Sequence, residues 1–101
     1  MNSQYSDLRK RAENLEFKLR DKLDNKNNPI APRLTNELRR FVDEVESERP
    51  PRSLEAVAKG IRDLLRSAGK QGDDTMDYSD IDFFEDRFED IIMDLRKFDN
   101  Y

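Results

Sequence analysis

Acidic residues are crowded within residues 73–85, and carboxylate-rich segments of this kind can bind calcium. A calcium-binding EF-hand loop needs oxygen ligands at its first, third and fifth positions and a glycine at its sixth. A loop starting at Asp74 places Met76 third, Tyr78 fifth and Ser79 sixth, and Glu85 at the twelfth position is weak support by itself. The spacing therefore predicts no EF-hand and allows at most weak binding of divalent cations.

Other chemistries lack the residues that they need. The chain has no Cys and no His, which removes thiolate nucleophiles, zinc-thiolate centres and the commonest general base. Di-iron bundles need Glu-x-x-His pairs, and phosphate-binding or hydrolase motifs of the glycine-rich kinds do not occur among the three glycines. We expect no enzyme activity, no metal centre and no cofactor.

Length and composition indicate one small domain that includes residues 1–101. With 42% charged and 35% hydrophobic residues, the composition approaches that of disordered proteins, but the helical periodicity described below argues against disorder. No apolar run exceeds three residues and the first 15 residues are polar, so we expect no membrane-spanning segment, no signal peptide and a cytoplasmic protein.

Four segments carry apolar residues at the spacing of one helical face, and they predict helices over residues 6–24, 32–47, 53–68 and 80–98. The first two stripes consist of Leu8, Ala12, Leu15, Leu19 and Leu23, then Leu34, Leu38, Phe41, Val42 and Val45. The last two consist of Leu54, Val57, Ala58, Ile61, Leu64, Leu65 and Ala68, then Ile81, Phe84, Phe88, Ile91, Ile92, Leu95 and Phe98. Tyr5 joins the first stripe if that helix begins earlier.

Local signals suggest where these helices begin and end. Ser6, Ser53 and Ser79 are predicted N-caps, Pro32 suits a first helical turn, and Gly69 is a natural C-terminal stop.

Gly60 lies inside the third predicted helix, where glycine costs about 1 kcal/mol relative to alanine. It could permit a close approach of a neighbouring helix or have no packing role, and the sequence leaves both interpretations open.

Short connections between amphipathic helices favour antiparallel neighbours. The sequence therefore predicts an all-α fold, a small antiparallel four-helix bundle, with a three-helix core plus a packed arm as the alternative. Residues 70–78 are predicted to form a flexible acidic loop.

The charge is divided unevenly along the chain. Residues 1–70 carry 16 Lys and Arg against 12 Asp and Glu, whereas residues 71–101 carry 3 against 11. Either the acidic fourth helix packs beside the basic helices and is neutralised there, or it presents a surface for a basic partner.

The candidate partner-binding residues lie away from the apolar stripe of the fourth helix. Phe83 and Met93 are expected on its exposed side, framed by Asp86, Asp90 and Asp94, as an apolar centre with a charged rim. The alternative is that the fourth helix is central and buries both sides. Phe17, opposite the stripe of the first helix, is the second candidate contact.

Nucleic acid is the other class of partner considered. The first helix is basic, but Asp and Glu are interleaved among its cations, so a direct interaction with phosphates is expected to be weak. Residues 53–59 superficially resemble the opening helix of a helix-turn-helix motif, but the same helical pattern continues where that motif needs a turn. Conversely, the carboxylates of residues 73–90 could mimic nucleic-acid phosphates, although the basic residues 1–70 argue against a mimic.

We therefore expect a non-catalytic helical protein-interaction module, regulatory or adaptor, that binds a protein with a basic surface. The partner could also be a second copy of the chain. The alternative is a nucleic-acid-directed protein, either an acidic mimic of the kind that phages use as inhibitors or a weak binder through the basic N-terminal portion.

Overall fold

The computed structural model describes residues 3–23, 30–70 and 78–98, and these residues form an all-α structure. Its helices are α1 (Ser3–Leu23), α2 (Ile30–Glu46), α3 (Pro51–Lys70) and α4 (Tyr78–Leu95). No β-strand occurs within these three ranges. The prediction of a helical bundle is confirmed, and residues 71–77, most of the predicted loop, lie outside the described residues.

A single apolar core receives side chains from every helix. The predicted stripes are buried along almost their whole length, and Phe41 meets Phe88 edge-on across the core, with ring centroids 6.3 Å apart. Tyr5 joins the first stripe, whereas Leu64 and Phe98 are only partly buried. Because all four helices share this core, the structure is a four-helix bundle and not three helices with an arm.

The bundle measures 40 × 21 × 18 Å. The contacts of α1 with α2, of α1 with α4 and of α3 with α4 join rising residue numbers in one helix to falling numbers in the other, so these pairs are antiparallel. The most extensive backbone packing is between α3 and α4, followed by α1 with α2 and α2 with α3. The α1 and α4 backbones are not a closely packed pair, and side chains bridge the space between them.

The predicted N-caps are wrong, because each lies one to three residues after the first residue of its helix. The Pro50 carbonyl accepts hydrogen bonds from the Ser53 and Leu54 amides, at 2.9 and 3.2 Å, so α3 begins at Pro51 and Ser53 lies inside its first turn. Proline is favoured at the first helical position because its missing N–H would have no partner there. Ser6 and Ser79 likewise lie inside α1 and α4.

The helix ends also differ from the sequence pattern. After α2, the Glu48 amide bonds to the Val45 carbonyl and the Arg49 amide to the Glu44 carbonyl, which is the Schellman arrangement. Glu48 adopts the left-handed conformation (φ 51°) that this arrangement requires. At the other boundaries, α3 continues past Gly69, and α4 ends at Leu95, three residues before the predicted end.

Gly60 has no packing role in the bundle. A methyl group built on its Cα would meet no side chain and no neighbouring helix within 4 Å. The close approach of α3 and α4 therefore does not depend on this glycine.

Within the described residues, no helix combines the length and the apolar composition needed to cross a bilayer.

Candidate partner-binding surface

The side of α4 that faces α3 is closed by ion pairs. Arg66 contacts both Glu85 and Glu89, with 2.8 Å between its Nη2 and Glu89 Oε1, and Arg62 Nη1 lies 3.3 Å from the same oxygen. The hydrogen bond to Glu85 raises the pKa of Arg66 above its ordinary value. We call this contact the α3–α4 seam. Two of the acidic residues of α4 are neutralised there by α3.

The side of α4 that faces α1 is ion-paired at its two ends. Arg11 Nη1 lies 2.6 Å from Asp94 Oδ2, and Lys22 Nζ lies 3.7 Å from Asp80 Oδ1. These pairs join α1 and α4 in antiparallel order. Together with the α3–α4 seam, they show that internal complementarity accounts for much of the uneven charge along the chain.

Phe83 occupies the middle of the α1–α4 side. The prediction that it lies on the exposed back of α4 is wrong, because it is half-buried and packs edge-on against Phe84, with ring centroids 5.3 Å apart. Lys18 Nζ lies 5.3 Å and Arg87 Cζ 5.0 Å from the centre of its ring. Phe83 is thus an aromatic ring contacted by two cations, an arrangement that the electron-rich ring face stabilises.

A groove of about 290 Å³ opens at this position, and we call it the α1–α4 groove. Leu15 and Ile91 form part of its apolar lining, and the remainder includes Phe83, Arg11, Lys18 and Arg87. No carboxylate of the described residues lies within salt-bridge distance of Lys18. Among the same residues, Arg87 forms an ion pair only with Asp90, one turn further along α4, with 3.8 Å between Arg87 Nη1 and Asp90 Oδ2. The middle of this groove is therefore positively charged.

The outward side of α4 carries the remaining carboxylates. Asp82, Asp86 and Asp90, which we call the acidic strip, are exposed and recur at four-residue spacing, so they follow one side of the helix. In the described parts of the chain, none of the three pairs with a cation on another helix. Met93 lies on the same side and is 53% exposed, as expected from the sequence.

The predicted site residues thus fall into three groups. Asp86, Asp90 and Met93 share the outward side of α4, and Phe83 lies beside them at the groove. Asp94, which is half-buried, is directed to α1 by its pair with Arg11 and is not part of the exposed rim.

Phe17, the second candidate contact, is 74% exposed. It projects from the side of α1 opposite the core and is not among the residues that line the α1–α4 groove. The structure therefore does not join Phe17 to the surface that contains Phe83.

The cations of the groove are candidate site residues that sequence reasoning missed. Lys18 and Arg11 lie seven residues apart, immediately beside the stripe positions Leu19 and Ala12, and this spacing predicts a cationic row along the edge of the apolar face. The pattern does not reveal that this row faces Phe83 and Arg87, because the order of helices around a bundle is not encoded in their periodicity.

Two carboxylates, Glu55 and Glu16, are buried, and each has an ion-pair partner. Glu55 is 5% exposed, and its Oε2 lies 2.7 Å from Lys59 Nζ and 3.3 Å from Arg96 Nη2. Glu16 is 8% exposed, with Arg39 Nη1 3.5 Å from its Oε1, whereas its buried Oε2 has no hydrogen-bond partner among the described residues. The contacts to Arg96 and Arg39 join different helical segments of the bundle.

Among residues 3–23, 30–70 and 78–98, no group of three His, Cys, Asp or Glu side chains could hold a metal ion. Asp73, Asp74 and Asp77, which belong to the acidic segment considered for weak cation binding, lie outside these ranges.

No protein-family model matches this chain, and no curated protein or solved structure matches it. The function is therefore argued from the surface itself.

Proposed function

We propose that this chain is a non-catalytic protein-interaction module, regulatory or adaptor, that binds a partner with a basic surface through the outward side of α4. The contact would consist of the acidic strip with Met93 among its carboxylates. The cytoplasmic location remains a prediction of the sequence alone.

The distribution of ion pairs is the observation that carries this proposal. Asp80 and Asp94 pair with α1, and Glu85 and Glu89 pair with α3. The acidic strip has no such partner among the described residues, although it belongs to the same helix. Carboxylates that stabilise the bundle are thus separate from carboxylates that remain available to a second molecule.

The chemistry of this side suits protein recognition. Exposed carboxylates accelerate the encounter with a basic protein and fix its orientation. Met93 can supply the apolar centre, because its unbranched and flexible side chain adapts to the shape of a partner.

The nucleic-acid alternative is less favoured by the same contacts. A mimic of phosphates needs unpaired acidic charge over much of its surface, but four carboxylates of α4 are paired with other helices. A direct binder needs many free cations on α1, but Arg9 has Glu13 at 3.8 Å, and Arg11 and Lys22 pair with α4. Among the described residues, this leaves Lys10, Lys18 and Arg20 without a carboxylate at salt-bridge distance.

The test is affinity capture from an extract of the native host, with quantitative mass spectrometry of the retained proteins other than the chain itself. We expect the wild-type chain to retain a partner protein and the double variant Asp86→Lys/Asp90→Lys to retain about tenfold less of it. These positions are preferable to Phe83, because a charge introduced at a half-buried ring would also disturb the fold.

The matched control is Asp21→Lys/Glu46→Lys, which changes the net charge equally at exposed positions of α1 and α2. It should retain the partner at the wild-type level. The proposal is overturned if no protein distinguishes the wild-type chain from Asp86→Lys/Asp90→Lys, or if the control loses the same proteins.

A further inference from the structure

Two strips of opposite charge run side by side along the bundle. The first is the acidic strip on the outward side of α4, and the second is the pair of cations, Lys18 and Arg87, at the α1–α4 groove. Phe83 lies at their border. We propose that a second copy of this chain docks here, so that the acidic strip of each copy meets the cations of the other around a two-fold axis.

This inference rests on the proposed function, because it uses the same acidic strip, and it names a second copy of the chain as one molecule that binds there. The α1–α4 groove is ion-paired at both ends, through Asp94 and Asp80, but no carboxylate of the described residues faces Lys18 in its middle. A carboxylate from a second molecule could pair with Lys18 between the two ion pairs that close the ends of the groove. The acidic strip of another copy supplies such groups at intervals of about 6 Å along the helix.

Other binding partners would match the charge of either the acidic strip or the cations, but not both. A basic protein would neutralise the acidic strip but would place more positive charge beside Lys18 and Arg87. A long polyanion such as nucleic acid would meet those cations but would be repelled by the adjacent acidic strip. A second copy satisfies both strips at once, because a two-fold interface brings the same patch of each molecule together and pairs each strip with its complement.

An apolar centre is also present between the charges. Met93 is exposed beside the acidic strip, and the half-buried ring of Phe83 forms the edge of the groove. Apolar residues surrounded by charged ones are the usual arrangement of a protein interface.

The test uses purified protein, whose mass is measured by sedimentation equilibrium over a concentration series at low salt. We expect a concentration-dependent shift from 12.0 kDa towards a dimer, which added salt weakens. The double variants Lys18→Glu/Arg87→Glu and Asp86→Lys/Asp90→Lys should each raise the dissociation constant about tenfold or more, because like charges then face each other.

Mixing the two variants gives the decisive result. The first variant has acidic groups on both strips and the second has basic groups on both, so an equimolar mixture should form a heterodimer although each variant alone stays monomeric. The matched control mixes Lys10→Glu/Arg33→Glu with Asp21→Lys/Glu46→Lys, which carry the same charge changes at exposed positions elsewhere. The control mixture should show no gain over wild type.

A wild-type chain that keeps a mass of 12.0 kDa at every concentration overturns the inference, as does a mixture of the two variants that stays monomeric. If the inference fails in this way but another protein is captured through Asp86 and Asp90, the proposed function is still supported. Conversely, a dimer in pure solution with no retained host protein supports the inference and removes the proposed heterologous partner.

Discussion

The two sides of α4 are built differently. Towards α3, the backbones pack closely and the flanking charges are neutralised by Arg62 and Arg66. Towards α1, the backbones are farther apart, ion pairs close only the two ends, and a groove with two cations lies between them. One helix thus stabilises the bundle through its α3 edge, while its α1 edge and its outward side keep charge available for recognition.

The largest expected effect comes from the core that both sides share. Phe88 is 1% exposed and packs against Phe41, so Phe88→Ala should lower the free energy of unfolding by about 3–5 kcal/mol through the cavity that it leaves. Phe83→Ala, at the groove, should cost only about 1–2 kcal/mol, because the ring is half-buried and contacts cations at the surface. Urea denaturation followed by circular dichroism measures both.

Equal losses of unfolding free energy in Phe88→Ala and Phe83→Ala would contradict the proposed difference between the two sides of α4. Equal losses would mean that the α1–α4 side contributes to the core as fully as the α3–α4 side does. A Phe88→Ala chain that does not fold at all agrees with the expectation, since a domain of this size has a margin of only about 5–10 kcal/mol.

The second effect concerns the end of the α1–α4 side. Tyr5 packs edge-on against Phe98, and its hydroxyl donates a hydrogen bond of 2.8 Å to the Arg49 carbonyl. Tyr5→Phe should therefore cost about 1 kcal/mol at neutral pH. Urea denaturation of both proteins at a series of pH values measures the difference.

The pH dependence of this difference has a defined sign. Burial first, and then the charge of Glu48, raise the pKa of Tyr5 above 10.0. The unfolded chain then loses the phenolic proton at lower pH than the folded chain, so the stabilisation is present below pH 10.0 and lost as pH rises through the folded pKa. The gap between wild type and Tyr5→Phe should be constant from about pH 7 to 9 and shrink at higher pH, and a gap that widens there would contradict this assignment.

The sequence predicts the buried half of this molecule better than the exposed half. Stripe residues such as Leu34, Ile61 and Phe88 are buried where the 3.6-residue period places them, because burial depends on each helix separately. Phe83 is mispredicted because its burial depends on Lys18 and Phe84, and the position of α1 beside α4 is a property of the assembled bundle.

Helix starts fail for a local reason. Three serines were candidate caps, but Pro51 fixes the start of α3 two residues before Ser53, because its ring presets the helical φ angle. The ion pairs of α4 likewise cannot be predicted from the sequence pattern. Arg66 becomes a neighbour of Glu85, and Asp80 a neighbour of Lys22, only when the helices pack together.

The smallest effect concerns the most extensively packed pair of helices. A glycine inside α3 suggests that α4 approaches so closely because a side chain is missing, but a methyl group at Gly60 would meet no side chain and no neighbouring helix within 4 Å. Gly60→Ala should therefore stabilise the fold by about 0.5–1 kcal/mol, because alanine loses less backbone entropy in a helix. The exposed Ala56 provides the matched control on the same helix, and Ala56→Gly should cost a similar amount. If Gly60→Ala were destabilising instead, the close packing of the α3–α4 seam would depend on the missing methyl group. The difference between the two sides of α4 would then arise from the approach of the backbones and not from the placement of charge.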